Sequence, residues 1–285
     1  MKLSAVVLLA MTLAMVGCAR QAPQAEAPQA SSPAMAPIRV GVSSDPTIQV
    51  LGELYAQALV AKGHPASVVD ADDDVSAQVS RLMADELDVV PGFAWSAAQE
   101  LQINADDPRS LVSDLAVALD GEAAVLRPSK VDRAWRYVST RTGASLLDLS
   151  ATTTIVAPQR WRAAPDGPSG LAALYGAEPK VTIAADADER LAQARDGAIA
   201  VFDGTEPQGS DAAMKLVDDP KTMIASDPHV ALLRLGVAED ETVLEVVQTL
   251  HDVLDNAAIV EIRTRAATNS VPAAVGEWLA AHPVR

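Results

Sequence analysis

Four aromatic side chains occupy strand ends or loops of the predicted structure, where they can face a bound ligand. Phe93 and Trp95 directly follow a short apolar run, Trp161 lies in a loop between two arginines, and Phe202 ends another predicted strand. Aromatic faces carry negative charge density, so several converging rings can hold a quaternary ammonium group. The alternative for each ring, packing in the core or between lobes, stays open.

Polar residues at the same strand ends extend the candidate ligand site. Ser43 and Ser44 follow the first predicted strand, and Asp203 directly follows Phe202. Acidic groups attract a cation and repel a free carboxylate, so Asp203 favours a positively charged ligand. The predicted ligand-binding residues are Phe93, Trp95, Trp161, Phe202, Ser43, Ser44 and Asp203.

Motifs of nucleophilic, phosphate-binding and metal-dependent catalysis are missing from the sequence. No GxSxG, HExxH, GxGxxG or Walker motif occurs, and the four histidines have no ligand-like spacing. The acidic run at residues 70–74 lacks the glycine and distal glutamate of an EF-hand loop, and helix capping explains it better. A secreted hydrolase would need a nucleophile and a base, and we find no such pair. We therefore expect a protein that is not an enzyme, with no metal site and no cofactor.

Composition narrows the possible partners. Acidic residues outnumber basic residues 38 to 22, which gives a net charge of −16, and no basic cluster offsets it. A phosphate backbone repels such a chain, so nucleic-acid binding is excluded as a function class. The single cysteine excludes an internal disulfide framework and a multi-thiolate metal site.

The N-terminus has the pattern of an export signal. Lys2 precedes an apolar run of about fourteen residues, which is too short to span a bilayer comfortably. The run ends at Gly17-Cys18, which resembles a bacterial lipobox, where cleavage leaves Cys18 as a lipidated N-terminus. We expect a signal peptide at residues 1–17 and a lipid anchor on the extracytoplasmic face of the cell membrane. The alternative is an ordinary signal peptide with an incidental cysteine.

Residues 18–37 are expected to form the lipidated cysteine and a disordered tether. This stretch is rich in Pro, Gln and Ala and has almost no large apolar side chain, so little can be buried against the entropy of ordering. Fully extended, it would reach about 60 Å at most. It would hold a folded body away from the membrane surface.

The remaining sequence predicts two α/β lobes. Strands at 38–42, 66–69 and 87–90 alternate with amphipathic helices that begin after Asp45 and Asp74, which indicates βαβ units and a largely parallel sheet. The same rhythm returns between residues 152 and 202, and helices follow a last strand at 230–235. Tyr55 and Trp278 lie on helical stripes and are expected in the core, whereas Trp135 and Tyr137 stay open.

The predicted domain order is a first lobe at 38–118 plus 228–285 and a second lobe at 119–227. A chain that leaves one lobe, forms another and returns places a ligand cleft between them, where loops at strand ends meet. Such a cleft can close around a ligand by a hinge motion.

Several segments resemble, in order, the substrate-binding proteins of osmoprotectant ABC importers. They are Val40–Leu59 with Lys62 and Gly63, Leu87–Pro91, Pro165–Gly167 with Gly170, Leu171, Tyr175 and Gly176, Leu216–Asp219, Leu250–Asn256 and Val275–Leu279. That family binds glycine betaine, choline or carnitine. The resemblance implies a type II periplasmic-binding fold and, as partners, a small-molecule solute, a membrane permease and a cytoplasmic ATPase.

The sequence departs from that family around the implied ligand. Val90 and Phe93 stand where the family usually has tyrosines, Trp161 stands at its phenylalanine, and Ala164 stands where its arginine commonly serves a ligand carboxylate. A betaine clamp would then need Arg160 or Arg162. The further family positions that differ are Ala123, Phe202–Glu206, Ser226 and Asp227.

The sequence thus predicts a lipid-anchored solute-binding protein that captures a small quaternary-ammonium or other cationic solute and delivers it to an ABC permease. The changes at the implied site favour choline-like or other cationic ligands over glycine betaine. The alternative is an accessory or sensor lipoprotein of the same fold, with a different ligand or no transport role.

Overall fold

The computed structural model describes residues 36–103 and 110–283. The predicted signal peptide, the lipidation site at Cys18 and nearly all of the predicted tether lie outside the described residues. Within the described part of the chain, no helix is both long and apolar enough to cross a membrane.

The described residues form ten strands and ten α-helices. The strands are β1 (Ile38–Val42), β2 (Ala66–Asp70), β3 (Val89–Phe93), β4 (Ala124–Val125), β5 (Trp135–Ser139), β6 (Thr154–Ala157), β7 (Lys180–Ile183), β8 (Ile199–Asp203), β9 (Lys215–Leu216) and β10 (His229–Leu233). The helices are α1 (Pro46–Ala61), α2 (Val75–Met83), α3 (Ala94–Glu100), α4 (Leu111–Ala118), α5 (Pro168–Gly170), α6 (Ala187–Arg195), α7 (Leu235–Ala238), α8 (Glu241–Val253), α9 (Asn256–Ala266) and α10 (Val271–Ala281).

Capping residues fix where the first helices begin. The Asp45 carboxylate accepts hydrogen bonds from the backbone N–H groups of Thr47 and Ile48, at 2.7 and 3.3 Å, and Pro46 occupies the first turn of α1. Asp74 caps α2 in the same way, through the N–H of Ala77. These bonds satisfy N–H groups that have no partner inside the helix. The predicted starts of both helices are therefore confirmed.

The strands form two sheets of five strands. The first has the order β2-β1-β3-β10-β4 and the second the order β7-β6-β8-β5-β9. In the first sheet β10 runs antiparallel to β3 and β4, and in the second β5 runs antiparallel to β8 and β9. Both sheets are thus mixed. We call each sheet with its covering helices the first and the second lobe.

The predicted lobe boundary at residue 118 falls before a strand of the first sheet. Ala124 and Val125, which form β4, pair with Leu233 and Leu232 of β10. The chain therefore leaves the first sheet only after β4.

Each lobe has its own apolar core. Leu51, Leu54 and Tyr55 of α1 are completely buried against β1, and Trp278 of α10 is 3% exposed in the same cluster. The expectation that Tyr55 and Trp278 are core residues is confirmed. On the other face of the first sheet, α2, α3 and α4 cover a second cluster.

Two segments connect the sheets, and they place charged residues between the lobes. The connection from β4 to β5 contains Arg133, and the connection from β9 to β10 contains Asp227. The two segments are joined by a backbone hydrogen bond from the N–H of Arg133 to the carbonyl of Asp227 at 2.9 Å, and His229, at the start of β10, donates its N–H to the carbonyl of Val131 at 2.8 Å. These bonds hold Arg133 and Asp227 side by side, near the end of β3 and the beginning of β5.

The lobes also touch directly, beside these connections. The hydroxyl groups of Thr47 on α1 and Thr205 after β8 lie 2.8 Å apart. Arg263 of α9 donates to the Thr47 hydroxyl at 3.1 Å and to the Thr205 carbonyl at 2.9 Å. Thr205 is fully buried, so this contact excludes water.

Candidate functional site

A cavity of about 300 Å³ lies between the two lobes. The first lobe contributes the start of α1 and α3, and the second lobe contributes the start of β5 and the chain after β6. The side chains that decide its chemistry are Asp45, Trp95, Glu100, Arg133, Trp135, Arg160, Asp166 and Asp227.

A second cavity of about 270 Å³ adjoins the first, on the side of the first lobe. Ser43, Ser44 and Phe93 line it. Both cavities share Asp45, Ser96, Glu100 and Arg133 as walls. Ser44 is not free to turn toward a ligand without losing contacts, because its hydroxyl donates to Asp73 at 2.8 Å and its N–H donates to the same carboxylate.

Two tryptophans present ring surface in the first cavity. Trp95, in the first turn of α3, is half-buried, and its backbone N–H donates to Asp227 at 2.8 Å. Trp135 begins β5 and is also half-buried, with the guanidinium carbon of Arg160 lying 4.7 Å from the centre of its ring. A guanidinium over a ring is itself a cation–π contact, so Trp135 already binds one cation of the protein.

Arg160 connects the cavity to the buried Asp203. Arg160 donates to the carboxylate of Asp203, which is 3% exposed. Burial alone would raise the pKa of Asp203, but the charge of Arg160 and hydrogen bonds from Thr205 outweigh burial and hold this pKa below its usual value. Asp203 is therefore ionised at neutral pH and supports Arg160 from behind the cavity wall.

Burial makes ionisation less favourable for two carboxyl groups of the cavity, those of Asp166 and Asp227. Burial raises the pKa of Asp166, although the N–H of Ala225 donates to it. Burial also raises the pKa of Asp227, and the charge of Arg133 opposes this rise. Arg133 already supplies a cation to Asp227. A cation that enters beside Asp166 would replace the solvation lost there, so Asp166 favours a positively charged guest.

Carboxylates outnumber guanidinium groups in the first cavity. Four of the lining residues are acidic and two are arginines, and no lysine or histidine joins them. Asp45 and Asp227 pair with Arg133, at 3.1 and 3.5 Å, so Glu100 and Asp166 remain without a cationic partner among the described residues. The cavity can thus accept a cation beside Asp166 and an anionic group beside Arg160.

A sequence model of the substrate-binding domain of ABC-type glycine betaine transport systems, OpuAC, matches residues 36–281. The chain belongs to this family. No curated protein gives a significant sequence match.

Three solved structures share the fold of this chain. A glycine betaine/carnitine/choline ABC transporter protein has a TM-score of 0.75 at 11% identity, over 86% of this chain and 98% of its own. Apo YehZ from Escherichia coli has a TM-score of 0.69 at 16% identity, over 88% and 100%. Lactococcal OpuAC in its closed conformation with glycine betaine has a TM-score of 0.59 at 12% identity, over 86% and 95%. The predicted type II periplasmic-binding fold is confirmed.

For this member of the glycine betaine transport family, the structure brings together some of the predicted site residues. Trp95 lines the first cavity, and Phe93, Ser43 and Ser44 line the second. Asp203 does not line either cavity but supports Arg160. Between Arg160 and Arg162, which the sequence left as alternatives, the structure places Arg160 at the cavity and leaves Arg162 on the exposed surface.

Trp161 and Phe202 are placed elsewhere, which corrects their prediction as ligand contacts. Both are 0% exposed inside the second lobe. Trp161 packs edge-on against Tyr137 and donates its indole N–H to the Tyr137 hydroxyl at 2.9 Å. Phe202 lies under the guanidinium of Arg190, 5.1 Å from its ring centre. The core of the second lobe satisfies both side chains, so neither is available to a ligand in this structure.

Sequence reasoning missed Arg133 and Asp166 and left Trp135 undecided. Arg133 and Asp166 lie in connections, where no periodicity reveals which way a side chain points. One signal was present: Asp132, Arg133, Trp135 and Arg136 place charges around a ring within five residues. That combination is unusual for a strand that only packs a core.

Proposed function

We propose that the chain is the extracytoplasmic binding subunit of an ABC importer, and that it captures a small solute with a quaternary ammonium or other cationic group and delivers it to the permease. Family membership supports the role of a solute-binding protein rather than an enzyme. The observation that supports the ligand class is the first cavity, where the ring of Trp95 lies among an excess of carboxylates, whereas the ring of Trp135 is occupied by Arg160.

The cavity suits a small guest held from both sides. At about 300 Å³ it lies at the lower end of ligand pockets, so it fits a compact solute. Trp95 and Asp166 come from opposite lobes, and a cation between them would contact both. A ligand stabilises the closed arrangement only through such differential contacts.

A carboxylate on the same solute would find a partner at Arg160. Among the described residues Arg160 donates to Asp203 alone, which leaves other N–H groups of its guanidinium for a ligand. Arg160 therefore takes the place that Ala164 leaves vacant relative to the family pattern. Choline, which has no carboxylate, would use Trp95 and Asp166 without Arg160.

The ligand class is tested by calorimetric titration of the purified chain with choline, glycine betaine, carnitine and a polyamine. We expect at least one of these to bind, and we expect Trp95→Ala to weaken binding about tenfold or more, because a desolvated cation–π contact contributes about 1–2 kcal/mol. Trp95→Phe keeps a ring and should lose less. Asp166→Asn should weaken the binding of a cation, whereas Glu122→Gln, an exposed acid outside both cavities, should not.

If none of the four solutes binds, the result would contradict the proposal of a cationic ligand and favour the accessory or sensor role. Binding that Trp95→Ala leaves unchanged would place the ligand outside the first cavity. Equal losses in Asp166→Asn and Glu122→Gln would mean that net charge alone, and not the site, controls binding.

The lipid anchor is tested at Cys18. We expect the wild-type chain in the membrane fraction and Cys18→Ser in the soluble extracytoplasmic fraction, because the sulfur is the predicted attachment point for lipid. Fractionation followed by immunoblotting measures both. Release of Cys18→Ser no greater than that of wild type would contradict the anchor.

A further inference from the structure

The guanidinium group of Arg133 lies over the ring of Phe93. The guanidinium carbon of Arg133 lies 4.2 Å from the centre of this ring. Phe93 ends β3 and is 2% exposed, so the face that turns toward the second cavity is covered by Arg133. A guanidinium within about 6 Å of a ring centre is a cation–π contact.

Two carboxylates and a hydroxyl complete the surroundings of this guanidinium. Arg133 donates to Asp45 at 3.1 Å, lies 3.5 Å from Asp227 and donates to the hydroxyl of Ser96. Ser96 in turn donates to Asp227 at 2.8 Å, which fixes the carboxylate. The Arg133 side chain is only 14% exposed. One cation is thus enclosed by groups from α1, β3, α3 and the connection before β10.

The same guanidinium stands between the two cavities of the cleft. Arg133 lines both the cavity of Trp95 and Trp135 and the cavity that Ser43 and Phe93 line. A second cation on the Phe93 ring would meet this positive charge at close range, in a partly buried site where charges are weakly screened. Arg133 therefore excludes from the Phe93 ring the class of ligand that the ring would otherwise attract.

We infer that Arg133 is a specificity-determining residue that fills a cation site of Phe93, Asp45 and Asp227 and confines an external ligand to the cavity of Trp95 and Trp135. The inference rests on the proposed function only for the external ligand. The internal cation site stands on the contacts of Arg133 alone. Its ligand class is a planar or compact organic cation of guanidinium size.

Arg133→Ala tests the inference by emptying the site. The variant leaves a ring face and two carboxylates without their cation, so methylguanidinium should bind there. We expect calorimetry at millimolar concentrations to give affinity for methylguanidinium at least about tenfold higher in Arg133→Ala than in wild type. We also expect methylguanidinium to raise the melting temperature of the variant more than that of wild type, relative to sodium chloride at the same ionic strength.

Arg127→Ala is the matched control. Arg127 also pairs with an aspartate, Asp252, but the side chains are 47% and 61% exposed, and no aromatic ring of the described residues lies over the guanidinium. Methylguanidinium should bind and stabilise this variant no more than it does wild type. If Arg133→Ala unfolds without ligand, dialysis into methylguanidinium should recover folded protein.

Three results would overturn the inference. They are equal methylguanidinium affinity in wild type and Arg133→Ala, equal stabilisation of Arg133→Ala and Arg127→Ala, and failure of methylguanidinium to bind or refold Arg133→Ala. Each is independent of the solute panel: wild type can bind no osmoprotectant while Arg133→Ala still binds methylguanidinium, and the reverse can also occur. Failure of the internal site and failure of the proposed function are therefore distinguishable.

Discussion

Glu206→Ala is expected to lower the free energy of unfolding by about 3 kcal/mol, because it leaves a buried arginine without its counter-ion. Arg190 is 0% exposed, and it donates to Glu206 at 2.5 Å and to the carbonyls of Ala184 and Ala185 at 2.9 and 2.7 Å. A guanidinium does not lose its proton in a protein, so the charge of Arg190 stays buried when Glu206 is removed.

Removing Arg190 instead of Glu206 should lower the free energy of unfolding much less. Burial and the neighbouring Asp203 raise the pKa of Glu206, and Arg190 opposes that rise. Without Arg190, Glu206 can take up a proton or reach solvent, since its side chain is 14% exposed. Arg190→Met also fills the space over Phe202 with an apolar chain, so we expect a loss of about 1 kcal/mol.

Urea unfolding at pH 7 measures both variants. Glu261→Ala, which breaks an exposed pair with Arg265 on α9, is the control and should cost about 0.5 kcal/mol. Adding Arg190→Met to Glu206→Ala should restore part of the lost stability, because the unpaired charge is then gone. A Glu206→Ala loss no greater than that of Arg190→Met would contradict this account.

The second large effect is a loss of stability in mild acid. We expect the free energy of unfolding to fall by about 2 kcal/mol from this source between pH 6.5 and pH 5. His229 is 0% exposed, and burial, with a smaller effect of His251, lowers its pKa to about 3. The folded protein therefore binds fewer protons at this ring than the unfolded chain does. The contribution is complete above the unfolded pKa near 6.5 and is lost as the pH falls toward 3.

The contacts of His229 explain why the neutral ring is required. Its Nδ1 lies 2.8 Å from the carbonyl of Gly92, and its Nε2 lies 2.7 Å from the hydroxyl of Tyr55. Phe93 packs against the same ring, with 5.8 Å between centres. Among the described residues no carboxylate contacts the ring, so a proton would add an unpaired buried charge.

His229→Phe isolates this component. The variant loses two hydrogen bonds and is expected to be less stable at pH 7, but its stability should change less between pH 6.5 and pH 5 than that of wild type. Chemical unfolding at several pH values gives both slopes. Equal slopes in the two proteins would show that His229 does not control the acid response.

Short-range patterns in the sequence predict much of the first lobe. The capping aspartates before α1 and α2 and the apolar runs at β1 and β3 are short-range patterns, so they could be interpreted without knowing the partner strands. The sequence pattern does not predict strand β5, because Trp135–Ser139 mixes charged and aromatic residues without clear alternation. It therefore does not predict the antiparallel position of β5 beside β8 either.

That missing strand also explains the errors at the site. Phe202 pairs with Arg136 of β5, and this register turns the Phe202 ring to the face that α6 covers. A strand end predicts that a side chain is near a cleft but not the direction in which it points. Trp161 faces inward because Tyr137, another residue of β5, accepts its N–H. The contact between Arg133 and Asp227 depends on the pairing of the two connections between the lobes, and no local pattern in the sequence predicts that pairing.

Hydrogen exchange with and without the tightest-binding solute of the panel tests the central claim most directly. The account predicts added protection of backbone amides on both sides of the first cavity, at residues 94–100 of the first lobe and 159–167 of the second. Protection confined to one lobe, or centred on the separate cavity of about 480 Å³ beside Arg39 and Arg234, would contradict a solute held between the lobes.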